Sequence, residues 1–148
     1  MFHYIILVLS NSLMQKEKST FKQAFTHLYF LMLSADKIAD INELELGNKI
    51  IALEKMDKKQ VMNELDSLSS QPRQQVYEQG INFMKSISRQ DQIKCLGYIK
   101  LMAKADGSID EKEINLLKDI SEKELTITMD EISDMEKKLE KSINKINP

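Results

Sequence analysis

The sequence predicts an all-α fold, a helical bundle of seven to eight helices in two similar halves. Three observations carry this expectation. Gly (four) and Pro (two) are scarce among 148 residues, so little interrupts the chain and long helices with short corners are favoured. Apolar residues recur at three- and four-residue steps nearly throughout, and no stretch alternates as a half-buried strand does. Finally, the chain falls on itself when shifted by 70 residues, around two acidic corners.

The elements follow in order. The opening "MFHYIILVLSNS" reads as a first helix packed on the bundle. Its apolar run over residues 4–9 is far short of the ~20 residues that span a bilayer. It also lacks the basic start and small-residue cleavage site of a signal peptide. Phe21, Ala24, Phe25, Leu28, Met32 and Ala35 form the stripe of a second helix, with Thr20 and Gln23 in a capping-box pattern ahead of it. Leu44, Leu46, Ile50, Ile51 and Leu53 mark the next helix, and Val61, Leu65 and Leu68 a short one. After the break "SSQPRQQ", Pro72 suits the first turn of a helix carrying Val76, Tyr77, Gly80, Ile81, Met84 and Ile87. Ile93, Leu96, Ile99, Met102 and Ala103 follow, then Ile114, Leu117 and Ile120 beyond a corner. A last helix, capped near Thr128 or Asp130, carries Ile132, Met135, Leu139, Ile143 and Ile146, with Lys137, Lys138, Glu140 and Lys141 on a solvated face. Its near-heptad spacing would suit a partner helix, but packing back on its own bundle is the expectation.

With 42% apolar and 30% charged residues, residues 1–148 read as one globular domain able to bury a full core. The net charge of −2 argues against general nucleic-acid binding, which rests on Lys and Arg neutralising phosphates. One cysteine, Cys95, excludes an intramolecular disulfide and a thiol-rich zinc site. Its place in an apolar pattern predicts burial. The methionines at 32, 84, 102 and 135 lie on core stripes and read as filling for the bundle. No P-loop, dinucleotide fingerprint or metalloprotease motif is present. His3 and His27 stand far apart, and nothing assembles a nucleophile, a base and an orienting group. The chain is expected not to be an enzyme, and His27 to be a packed imidazole.

The repeat is most informative at its centre. "LMLSADKIADINELEL" falls on "LMAKADGSIDEKEINL" without a gap, so that Asp36, Asp40 and Glu43 meet Asp106, Asp110 and Glu113. Leu31, Met32, Ala35, Leu46 and Ile50 likewise meet identical residues at 101, 102, 105, 116 and 120. The halves are therefore drawn at about 1–70 and 71–148. Capping accounts for four of these acids. Asp40 and Asp110 stand where an N-cap accepts from free N–H groups, while Glu43 and Glu113, three residues on, complete a capping box. Asp36 and Asp106 close apolar stripes, at the negative end of a helix, where an acid is unfavourable by about 0.3–1 kcal/mol. Either the next helix's N–H groups or a bound cation would offset that cost. Gly107 supports a tight turn at positive φ. The spacing is not that of an EF-hand, whose acids stand at positions 1, 3, 5 and 12 of the loop.

These corners, "ADGSIDEKE" above all, resemble the TerB-like tellurite-resistance family and the related N-terminal domain of DjlA-type co-chaperones. The resemblance covers roughly residues 20 to 125. It implies an all-helical bundle of two halves whose corner acids gather on a metal-binding surface, with calcium or another divalent cation as the ligand. By motif position Asp106, Asp110 and Glu113 would hold the ion, with Asp36, Asp40 and Glu43 as counterparts. The first corner departs from the family pattern, with Lys37 in place of Gly and Ala39 in place of Ile. The expected function is a non-enzymatic, cytoplasmic metal-binding module linked to tellurite resistance or stress response, without an organic cofactor, nucleic-acid ligand or stable membrane insertion. Two other readings stand beside it: a helical scaffold that docks a protein partner, its acids only caps or a docking face, and a membrane-associated module using the apolar N-terminus. The oligomeric state is left open.

Overall fold

The computed structural model describes residues 2–35, 41–105, 107 and 109–146. Between residues 2 and 33 the sequence has neither Gly nor Pro, and it forms one uninterrupted helix, α1 (Phe2–Leu33). The expected capping box at Thr20 and Gln23 is therefore corrected. The Thr20 hydroxyl donates to the Lys16 carbonyl one turn back (2.9 Å), inside a helix that Lys16, Glu17 and Lys18, all good helix formers, carry through. The expectation of a first helix packed on the bundle is corrected too, because residues 3–19 are exposed and α1 enters the core only from Phe21 onward.

The remaining elements are α2 (Ile41–Leu53), α3 (Lys58–Leu68), α4 (Arg73–Lys85), α5 (Arg89–Ala103), α6 (Glu111–Lys118) and α7 (Met129–Ile146). A π-helical turn, Asp119–Glu124, continues α6. No strand occurs among the described residues. Local chemistry starts most of the helices. Asp57 caps α3 and Ser88 caps α5 through their side chains. Thr128 and Glu131 exchange bonds at 3.1 Å to cap α7. Pro72 stands one position earlier than expected, as the N-cap of α4 with ψ 138° rather than in its first turn.

α5 runs through the middle of the bundle, packed chiefly on α7 and also on α1, α2 and α6, while α1 packs chiefly on α4. The core includes Phe25, Tyr29 and Tyr98, with Phe25 5.6 Å from Tyr29 and 6.2 Å from Tyr98 between ring centroids. Such burial contributes roughly 1.5–3 kcal/mol per large apolar side chain. Tyr98 donates its hydroxyl to Glu54, whose carboxylate also pairs with Lys94 at 2.8 Å, so the polar end of a buried ring is satisfied. Cys95 is fully buried, and burial pushes its thiol well above the ordinary range.

The 70-residue shift relates positions of like burial. Phe25 and Cys95, Leu28 and Tyr98, Met32 and Met102, and Ile50 and Ile120 are all inaccessible or nearly so. One related pair of positions exchanges volume. Tyr29 and Gly47 in the first half stand where Ile99 and Leu117 stand in the second, and all four are buried. Gly47 has no Cβ because the Tyr29 ring occupies its place; a Cβ there would meet the hydroxyl and lie 2.6 Å from Cζ. The buried face of α2 comprises Glu43, Gly47, Ile50 and Ile51. Leu44, expected on the core stripe, is consequently turned outward, 37% exposed. Ile146, the last residue of the α7 stripe, is likewise exposed.

Gly47→Ala is expected to lower stability by about 1–3 kcal/mol, as overpacking does in a filled core, measured by urea unfolding. A second prediction concerns pH. Burial first, and then the nearby Glu43 carboxylate, push the Tyr29 phenol up from 10.0 to about 12. Between those values the folded chain keeps a proton that the unfolded chain releases, so stability is whole below pH 10 and falls as pH rises toward 12. The loss from this group amounts to about 2–3 kcal/mol. The Tyr29 hydroxyl has no hydrogen-bond partner among the described residues, so Tyr29→Phe should cost little at pH 7 and flatten the alkaline decline. Equal declines in both proteins would assign the titration to another group.

Candidate functional site

The second corner is built from helix ends. α5 closes at Lys104, whose N–H donates back to the Lys100 carbonyl at 3.2 Å. Gly107 follows at φ +98°, its N–H donating to the Lys104 carbonyl at 3.0 Å. This is the positive-φ turn expected there, in a conformation glycine adopts without strain. Ile109 packs against the core and delivers Asp110 to the N-cap of α6, where one carboxylate oxygen accepts from the Lys112 N–H at 2.8 Å. The Glu113 carboxylate reaches back to accept from the Asp110 N–H at 3.3 Å, completing the expected capping box. Both acids sit at the positive end of the α6 dipole.

Capping alone does not require Glu113 to leave water, yet it is only 4% exposed. Glu43, in the first turn of α2 at the matching position of the first corner, is also 4% exposed. Asp110, by contrast, is exposed. The structure thus brings Asp110 and Glu113 into one cap and sets Glu43 beside Tyr29. Asp36, Asp40 and Asp106 lie outside the described residues. Among the described residues no three His, Cys, Asp or Glu side chains converge closely enough to hold a metal. The donor set at these positions is nevertheless all carboxylate oxygen, the chemistry suited to a hard cation.

A second group of charges stands immediately before this corner. Lys104 pairs with Glu136 of α7, Lys100 lies 3.3 Å from the same carboxylate, and Lys100 donates to the Ser133 hydroxyl at 2.6 Å. Glu136 is 4% exposed, so its desolvation is offset by two ammonium groups. The hydrogen bond to Glu136 is also the first cause holding the Lys104 ammonium above its ordinary pKa. Both lysines suit the negative end of α5. This pin fixes the point at which the corner departs. At the end of α1 the matching position is Ser34, whose hydroxyl accepts from Arg73 of α4. Glu136 carries a signal that sequence reasoning passed over: it is a charged residue four after Ile132 and three before Leu139, inside the apolar stripe.

Other reactive side chains are held. His27 is 4% exposed, with Nδ1 2.7 Å from the Gln23 carbonyl, Nε2 3.3 Å from Gln79 and its ring 5.0 Å from that of Phe83. That is the packed imidazole expected.

A family model described as tellurite resistance protein TerB matches residues 22–138, starting where α1 enters the core and running well into α7. Searches of curated proteins and of solved structures found no significant match. The match takes in both corners, the whole of α2 to α6, α1 from Lys22 onward and α7 as far as Lys138, and by it the chain belongs to the TerB family.

Proposed function

We propose that this chain is a non-enzymatic TerB-family module that binds a divalent cation of the Ca²⁺ type at its acidic corners, in the cytoplasm, in a pathway of tellurite resistance or stress response. Asp106, Asp110 and Glu113 would hold the ion, with Asp36, Asp40 and Glu43 as their counterparts. On this reading residues 1–148 act as one unit built from halves 1–70 and 71–148. The resistance link comes through the family alone.

The observation that supports binding is the burial of Glu43 and Glu113 at matching positions. Desolvating a carboxylate costs several kcal/mol unless a countercharge or strong hydrogen bonds replace the water. Glu43 and Glu113 both have partners within the chain, and a hard cation, which takes six to eight oxygens, would add to these at the remaining acceptor sites. Capping and ligation are compatible, since an ionised carboxylate offers two oxygens with about four acceptor sites. The second reading, a helical scaffold for a protein partner, draws on a different observation. The Asp110–Glu113 capping box is complete without any ion.

Asp106 stands outside that box, so Asp106→Asn separates the two readings. Chelator-treated protein should gain about 2.7 kcal/mol at a Ca²⁺ concentration 100 times the dissociation constant. For a domain of this size that raises Tm by about 5–10 °C. Asp106→Asn should abolish the rise. No shift with Ca²⁺, Mg²⁺ or Zn²⁺ would contradict the metal reading and return the acids to capping and docking.

A further inference from the structure

The exposed start of α1 falls outside the family match and outside the proposed ion site. Residues 3–19 lie at the surface, among them Tyr4 (71%), Ile5 (53%), Ile6 (51%), Leu7 (61%) and Leu9 (58%). Val8, Leu13 and Met14 are exposed as well. The other large apolar side chains at the described surface are only Ile41, Leu44 and Ile146. From residue 3 to residue 15 there is no Lys, Arg, Asp or Glu; Lys16, Glu17 and Lys18 follow at once.

Helical spacing decides what could cover this segment. Ile5, Ile6, Leu9 and Leu13 share one side, Leu7 with Met14 and Val8 form its two shoulders with only the small Ser10 and Ser12 set between, and Tyr4, Asn11 and Gln15 stand opposite. The apolar arc covers well over half the circumference. A partner helix or a groove takes a stripe about 100° wide and would leave the shoulders wet.

Folding back onto the bundle meets the same objection. Under the 70-residue shift the segment corresponds to α4, which buries Val76, Gly80, Ile81 and Met84 and is polar on its outer face. The α1 segment has no comparable polar face. A lipid surface covers a wide arc at once. Residues 4–14 extend about 15 Å at 1.5 Å per residue, half the ~30 Å of a hydrocarbon core, and no described helix is long and apolar enough to cross a membrane.

We propose that residues 4–14 bind the surface of an anionic lipid bilayer. The apolar arc lies in the boundary between headgroups and acyl chains of one leaflet, and Lys16, exposed and on the same side as Ile5 and Leu9, stands against lipid phosphates. The bundle is thereby tethered reversibly, independently of any ion at the corners. Binding of a helix in the interface draws on buried apolar area together with attraction to anionic lipid.

Flotation of the full chain, free of an N-terminal tag, with phosphatidylcholine vesicles with and without phosphatidylglycerol tests this. The chain should float with the mixed vesicles. Ile6→Glu with Leu9→Glu should weaken flotation more than about tenfold. Its core melting should be unchanged, because both side chains are exposed in the native protein. Lys16→Gln should weaken it about fivefold at low salt and little at high salt. Failure to float with either vesicle would overturn the proposal, as would undiminished flotation of the double variant. A dimer detected by light scattering that the double variant dissolves, without flotation, would overturn it in favour of a second copy.

Discussion

Two carboxylates taken out of water in the first turns of α2 and α6 constrain much of what surrounds them. Glu43 and Glu113 occupy the third helical position after each corner, where a glutamate can bond back to the chain that enters the helix. Burying them there fixes which face of each helix turns inward. In α2 that face continues through Gly47, Ile50 and Ile51; in α6 it continues through Leu116, Leu117 and Ile120. The same rotation sends Leu44 out to solvent. The carboxylates also bring negative charge close to the core, and Glu43 adds to the rise in the Tyr29 pKa that burial of the phenol chiefly causes.

The halves share this device and differ in how they accommodate it. Tyr29 against Gly47 fills in the first half the kind of space that Ile99 and Leu117 occupy in the second. The larger difference lies upstream. In the second half Ser86, Ile87 and Ser88 end α4 and let Ser88 cap α5, so α4 can return against α1. In the first half Lys16, Glu17 and Lys18 occupy the matching positions and the helix does not stop. The apolar segment before them is carried away from the core along the axis of α1. Whether a helix folds back or projects is thus decided by three residues whose capping ability differs.

Much of the architecture was legible in the sequence because it rests on periodicity. The stripes through Met32, Met84 and Met102, the burial of Cys95, the packed His27, the turn at Gly107 and the Asp110–Glu113 box all follow from local rules. What was not legible depended on competition between such rules or on distant partners. Thr20 and Gln23 form a valid capping pattern, but strong helix formers preceded it and the helix ran through. Leu44 continues an apolar stripe, yet the buried Glu43 outweighs it. The positive φ at Lys55 and at Thr126 has no signature in residue type, unlike that at Gly107. At the candidate site, the pairing of Glu136 with Lys100 and Lys104 needed α5 and α7 to be placed side by side. That the two corner glutamates are both buried also emerged only from the fold.

On the proposed reading the matched corners form a cation site, with capping as their structural foundation. Backbone NMR of the ion-free chain titrated with Ca²⁺ tests it most directly, since each corner reports separately. The claim predicts saturable chemical-shift changes concentrated at residues 106–117, with a matching set at residues 36–47, and little change along α4 and α7. Spectra that stay unchanged to millimolar Ca²⁺, or changes scattered over the surface without saturation, would contradict it.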